Sequence, residues 1–293
     1  MAKTKTSTKH RITGLSHVAL FTSDLPKTMK FYGDFLGYQE QFRLTEPDGR
    51  LALTFVKIND KQCIELFPER EPKTDRLYQV AFIVENIEAL RQHLKSHGIA
   101  VPDVVKKGRI GNSNFSVKDP DGHIVEFVQY EPDGWTVRDN GKHMSGDRIS
   151  AYIRHVGVTV RSLDKSLAFY RDILGCSETW RGSSDGKILS WVNMKLPHSD
   201  DYVELMLYSD PPSLERLGVM NHLCLEVKDV PASAEALKSR VARSGYDRPV
   251  EHKVGINRRR LMNLFDPDGT RSELMEPGTV DGVPPANSPA PAP

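Results

Sequence analysis

The sequence predicts an α+β protein built from two tandem copies of one module, with two βαβββ units in each. Three observations carry this reading. A constant offset of 138 residues relates His17-Val-Ala-Leu to His155-Val-Gly-Val, Phe31-Tyr32 to Phe169-Tyr170, and Leu36-Gly37 to Leu174-Gly175, and spacing kept over so many positions marks a duplicated unit. Within each half of a module a strand-like run precedes a helical pattern and three strand-like runs follow it. The tetrapeptide Asp119-Pro-Asp-Gly122 returns as Asp266-Pro-Asp-Gly269, a tight turn with Pro at its favoured second position.

Residues 18–21 alternate as a strand does. Asp24 then caps a helix with Pro26 in its first turn. Met29, Phe31-Tyr32 and Phe35-Leu36 keep helical apolar spacing, and Gly37 supplies the left-handed C′ position. Strands are expected at 38–44, 51–58 and 62–67. The pattern then repeats: a strand at 79–84, a helix at 86–97 ended by Gly98, and strands at 101–105, 114–117 and 124–129. Module 1 thus spans 11–131 and module 2 spans 148–277. Residues 132–147, with Gly, Asn and Asp, read as a linker. Residues 1–10 and the Pro- and Ala-rich stretch 278–293 lack the apolar content of a core and are expected to be disordered tails.

Forty basic and 39 acidic side chains leave a net charge of +1, so no global field draws the chain to nucleic acid or to an anionic membrane. Arg258-Arg259-Arg260 is the one dense basic spot and reads as a solvated edge, with a substrate-carboxylate clamp as the other reading. No run of about 18 apolar residues offers a membrane span. Cys63, Cys176 and Cys224 are odd in number and widely spaced, which fits buried thiols in a reducing, cytoplasmic setting rather than a disulfide framework.

Module 2 places polar groups inside apolar strands: His155 in Ile153-Arg-His-Val, Glu204 in Tyr202-Val-Glu-Leu, His222 in Asn221-His-Leu-Cys and Glu273 in Ser272-Glu-Leu-Met. Period-two alternation turns each toward a shared concave face. Two carboxylates there cost several kcal/mol unless compensated, and a divalent cation compensates them. Two imidazoles with two carboxylates suit Fe2+, Mn2+, Ni2+, Zn2+ or Co2+.

With the Phe-Tyr…Leu-Gly helix, the Val-Glu-Leu strand and the Asp-Pro-Asp-Gly…Glu-Leu ending, the chain resembles the vicinal oxygen chelate (VOC) superfamily of glyoxalases, bleomycin resistance proteins and extradiol dioxygenases. The resemblance covers all but the two tails. It implies that each module curls into an incomplete mixed β-barrel around a divalent metal, the glyoxalase/dihydroxybiphenyl dioxygenase fold. His155, Glu204, His222 and Glu273 match the family's four ligand positions, and extradiol enzymes keep only the three at His155, His222 and Glu273. Module 1 carries the related set His17, Glu65, Gln79 and Glu126, a second metal site or a decayed one. Units pair within modules or across them in this family; pairing within modules is the expectation, because it gives one complete His2Glu2 set.

The resemblance implies an enzyme for a small-molecule substrate with vicinal oxygen atoms, in a monomer or homodimer without nucleic-acid or membrane partners. The leading expectation is a glyoxalase-like lyase or isomerase, with Glu204 or Glu273 as the catalytic base for an adjacent C–H proton. The alternative is an Fe(II) extradiol dioxygenase. Against it, Asn263 stands where those enzymes carry a Tyr, and only His198 or His252, both read as surface residues, could replace their second-shell His. A non-catalytic bleomycin-resistance-type binder is the third reading. Thr159 and Phe21 stand where bacterial glyoxalase I has a glutathione-contacting Arg, so a thiol adduct of glutathione is not the expected substrate. Trp180, Trp191, Met206 and Met220, and Tyr202, Tyr208 and Asn263, are candidate pocket residues.

Overall fold

The computed structural model describes residues 10–69, 71 and 75–293; the N-terminal tail expected at 1–10 falls, apart from His10, outside them. Eight strands of module 1 form one curled mixed sheet: β1 (Arg11–Thr22), β2 (Gln39–Thr45), β3 (Leu51–Lys57), β4 (Cys63–Pro68), β5 (Leu77–Glu85), β6 (Lys106–Lys107), β7 (Ser113–Lys118) and β8 (Ile124–Gln129). Module 2 repeats them as β9 (Ile153–Val160), β10 (Ser177–Gly182), β11 (Trp191–Lys195), β12 (Tyr202–Leu207), β13 (His222–Glu226), β14 (His252–Val254), β15 (Arg260–Phe265) and β16 (Arg271–Met275). The orders are β2-β3-β4-β1-β5-β8-β7-β6 and β10-β11-β12-β9-β13-β16-β15-β14. Each sheet draws on one module only, so the units pair within modules. The first strands of the two units, β1 with β5 and β9 with β13, meet antiparallel at the centre, and each pairs parallel with the last strand of its own unit.

The first helix of module 1 starts as expected: Asp24 caps it by accepting from the Lys27 N–H, with Pro at the first turn; its module 2 counterpart starts at Ser162 without a side-chain cap. Neither stays α-helical. Lys30–Phe35 and Ala168–Ile173 are π-helical, and the Leu36 N–H reaches back five residues to Phe31 O at 2.9 Å. The wider turn lets two consecutive aromatics face inward: Phe31 and Tyr32, like Phe169 and Tyr170, are all buried and sit edge-to-face at 5.0 Å. The strand expected at 101–105 is absent. Pro102 removes a ladder donor, Val104 is exposed, and only the two-residue β6 forms beyond it.

The two sheets share one apolar cluster that includes Leu15, Tyr32 and Phe82 of module 1 and Ile153, Tyr170 and Leu223 of module 2. Matching polar bonds lock them together. Tyr170 Oη donates to Asp119 Oδ2 at 3.0 Å and Tyr32 Oη to Asp266 Oδ2 at 3.4 Å. Gln62 of β4's approach exchanges two bonds with the Ile153 backbone at 2.8 and 2.9 Å, while its counterpart Asp201 accepts from the Leu15 N–H at 2.8 Å. Both Asp-Pro-Asp-Gly turns therefore serve as docking points as well as turns.

The segment after each module folds back on that module's edge. After module 1, helix Trp135–Arg138 sets Trp135 edge-on to Phe42 at 5.5 Å. After module 2, the tail expected to be disordered instead lies along β10. Trp180 Nε1 donates to Ala286 O at 3.2 Å, Ser288 N to Arg181 O at 3.0 Å and Leu189 N to Pro291 O at 2.8 Å. Composition misleads here because an edge strand offers unpaired backbone groups to any extended segment, and Ala290, 8% exposed, adds a small apolar anchor. Among the described residues no helix is long and apolar enough to cross a membrane.

Candidate metal centre

Strand register brings the candidate ligands together over small residues. Glu204 of β12 and His222 of β13 both lie opposite Gly157, while His155 and Glu273 of β16 flank Cys224. In module 1 Glu65 and Gln79 flank Ala19, and His17 and Glu126 flank Ala81. Four long side chains can lean inward only because the residues between them are short. Gly157 has no slack: a Cβ there would lie 2.1 Å from His222 Nδ1 and 2.7 Å from Met220 O.

In module 2 the donor atoms converge. His155 Nε2 lies 3.1 Å from His222 Nε2, 3.3 Å from Glu273 Oε2 and 4.0 Å from Glu204 Oε2. His222 Nε2 lies 3.5 Å from Glu204 Oε2 and 3.8 Å from Glu273 Oε2. Four donors about 2.1 Å from one divalent ion are roughly 3.0–3.4 Å apart when adjacent and about 4.2 Å apart when opposite, so these spacings fit such an ion. The tautomers fit as well. His222 Nδ1–H donates to Met220 O at 2.7 Å, which leaves the Nε2 lone pair facing the cluster. Burial, reinforced by Arg271 and His155, holds the His222 imidazole well below its usual pKa. Tyr202 stacks on the His155 ring at 4.5 Å, although His155 Nδ1 is buried without a partner.

The two carboxylates are driven apart electrostatically. Burial and the charge of Glu273 raise Glu204. Burial also opposes ionisation of Glu273, but the His155 hydrogen bond and the Arg271 charge outweigh it and bring it to about 2. Burial and these same carboxylates push the Cys224 thiol well up, so it is a neutral floor residue rather than a thiolate donor.

Module 1 uses its set differently. The Gln79 amide Nε2 lies 2.9 Å from both His17 Nε2 and Glu126 Oε2, donating to each. Ser16 Oγ meets His17 Nδ1 at 3.2 Å and Tyr130 Oη at 2.8 Å. Glu65 Oε2 is 3.6 Å from His17 Nε2, and burial with the charge of Glu126 raises its pKa to about 7. The cluster opens into a cavity of about 240 Å³ walled by Phe42, Phe55, Phe67 and Tyr78.

The cavity over the module 2 cluster is about 130 Å³ and is lined by Trp180, Trp191, Asn263, Lys253 and Arg271 together with Glu204 and Glu273. Trp180 and Trp191 are stacked, 16° from parallel. Of the candidate pocket residues, Trp180, Trp191 and Asn263 line this cavity; Tyr202 packs behind His155, Met206 and Met220 are buried in the fold, and Tyr208 lies past the end of β12, away from the lining. His198 and His252 are exposed. Arg258 pairs with Asp281 and Arg260 with Glu276, and none of Arg258-Arg259-Arg260 lines this cavity. The cations in its lining are Lys253 and Arg271; the sequence reading passed over Arg271 although it stands two residues before Glu273 and so on the same strand face. Gly157 was missed too: its signal was only a Gly in a strand centre, a mark of close approach.

Comparison with known proteins agrees with this architecture. Residues 14–127 and 152–274 each match the Glyoxalase/Bleomycin resistance protein/Dioxygenase superfamily. Methylmalonyl-CoA epimerase, mitochondrial, of Mus musculus is 32% identical over 125 residues, 40% of this chain and 66% of that protein. Glyoxalase I of Saccharomyces cerevisiae is 20% identical over an alignment covering 91% of this chain and 93% of that one. Among solved structures, the 2,3-dioxygenase LapB from Pseudomonas sp. KL28 superposes with a TM-score of 0.70 at 14% identity, covering 94% and 97% of the two chains. The Mn(II)-bound glyoxalase from Novosphingobium aromaticivorans gives 0.68 at 16% identity, covering 92% and 83%. With both modules matched and the paired four-donor clusters in place, this chain belongs to the Glyoxalase/Bleomycin resistance protein/Dioxygenase superfamily.

Proposed function

We propose that this chain is a divalent-metal-dependent lyase or isomerase of the glyoxalase type, acting in module 2 on a small substrate with two neighbouring oxygens. The observation that carries the reading is the position of Glu204: its Oε2, 3.5 Å from His222 Nε2, makes a fourth donor in the cluster. Ring-cleaving relatives of this fold keep three ligands, and Asn263 stands where they carry a Tyr. The relatives named an epimerase and a glyoxalase I support proton-transfer chemistry.

His155, His222, Glu273 and Glu204 would hold the ion. A divalent ion there supplies Lewis acidity to two adjacent substrate oxygens. Glu204 does the proton work: its carboxylate, raised by burial, accepts a proton from the carbon beside the oxygens and returns it, a role suited to a carboxylate held above its usual range. Glu273, held near 2, stays ionised. Trp180 and Trp191 exclude water from one side.

Incubation of Mn2+-loaded protein with α-hydroxycarbonyl compounds in D2O tests this. The expected result is deuterium incorporation at the α-carbon without oxygen uptake, abolished in Glu204→Gln while Mn2+ is retained. Oxygen uptake with a yellow ring-opened product from catechols, surviving Glu204→Gln, would overturn it in favour of a dioxygenase.

A further inference from the structure

Arg271 is the one cation in the wall of the module 2 cavity that touches the ligand cluster. Its Nη2 lies 2.7 Å from His222 Nδ1 and 3.0 Å from His222 Nε2. Because His222 Nδ1–H already donates to Met220 O, the only lone pair His222 offers is that of Nε2. Arg271 Nε is buried with no partner, and among the described residues no carboxylate lies within ion-pair distance of this guanidinium. Asn263 Oδ1, in the same wall, is also buried and unpartnered. Unpaired buried donors on a permanent cation are costly, and five donors in a planar fork suit a carboxylate.

The charges point the same way. Two ionised carboxylates and two neutral imidazoles balance one divalent ion, so Arg271 leaves the filled cluster at +1. An ion on His222 Nε2 also takes the lone pair that faces Arg271. In module 1 the position five residues after the Asp of the turn is Ile124, so no arginine stands at the matching place beside that cluster.

Building on the metal-centre reading above, we infer that Arg271 selects an anionic substrate. The substrate is a 2-hydroxy or 2-oxo carboxylate, with one carboxylate oxygen on the guanidinium and a planar apolar group against Trp180 and Trp191. A matched pair of probes tests this: mandelate and its neutral amide, mandelamide, share the vicinal oxygens and the ring and differ in charge. Each is titrated into Mn2+-loaded protein, followed by tryptophan fluorescence, with Mn2+ affinity measured separately by electron paramagnetic resonance. The wild-type chain is expected to favour mandelate. Arg271→Ile should weaken mandelate roughly ten- to hundredfold, as loss of a charged hydrogen bond implies, and leave mandelamide and Mn2+ within about threefold. Arg271→Lys should keep part of the preference. No preference in the wild-type chain, or equal loss of both probes in Arg271→Ile, overturns the inference. A chain that fails to bind Mn2+ sinks the metal reading instead, and the mandelate preference of the metal-free chain then judges Arg271 separately.

Discussion

The two modules present the same four backbone positions and put them to different use. In module 1 the Gln79 amide donates to His17 and Glu126, and Ser16 engages the other His17 nitrogen, so the polar cluster is largely satisfied by its own hydrogen bonds. In module 2 the equivalent His222 spends its proton on Met220 O, leaving Nε2 3.1 Å from His155 Nε2 with carboxylates around both. One residue type separates a cluster that closes on itself from one whose lone pairs converge on a common point. The exchange carries a steric condition, because the imidazole needs Gly157 beneath it where the amide tolerates Ala19.

The largest expected effect comes from breaking that condition. Gly157→Ala should displace His222 and weaken Mn2+ binding by at least about a hundredfold, at a stability cost of roughly 1–3 kcal/mol for overpacking; a metal titration beside urea unfolding reads both. Ala19→Gly in module 1 should leave Mn2+ stoichiometry unchanged. A Gly157→Ala chain that binds Mn2+ normally would mean that His222 is not a ligand.

Transplanting the difference is the next test. Gln79→His alone should fail to add a site, since the ring would meet the Ala19 Cβ, whereas Gln79→His with Ala19→Gly should raise stoichiometry from one Mn2+ per chain to two. Stoichiometry of two in the unaltered chain would dissolve the contrast.

The edges of the modules offer a smaller effect. Only module 2 has its tryptophan wall pinned by the tail, through Trp180 Nε1 to Ala286 O. Deleting residues 284–293 should cost about 1–3 kcal/mol and make Trp180 and Trp191 more accessible to acrylamide, with Trp135 unchanged. An unaltered quenching curve would show that the tail does not hold the wall.

A pH-dependent effect probes the docking turns. Burial raises Asp266 to about 7 and raises Asp119 as well. Between about pH 4 and 7 the folded chain therefore holds a proton on Asp266 that the unfolded chain has released. This contribution is fully present at acid pH and is lost as pH rises through 7. Asp266→Asn should flatten the fall in melting temperature over that window, which a pH series of thermal melts would detect.

Much of this was legible in the chain itself. Repetition at a fixed offset established two modules, alternation established the strands, and polar residues in apolar strands singled out His155, Glu204, His222 and Glu273 as candidate donors, because each signal is local and periodic. What lay beyond reach depends on groups far apart in sequence. Whether sheets close within a module was decided by β1 meeting β5 and β9 meeting β13. The need for Gly157 appears only when His222, 65 residues away, leans over it. Arg271 and the docked tail follow the same logic: a charge acquires a role, and an apolar-poor segment acquires a place, only from the neighbours that the tertiary fold delivers. Sequence fixes which donors exist and which face they share, and packing fixes what stands between them.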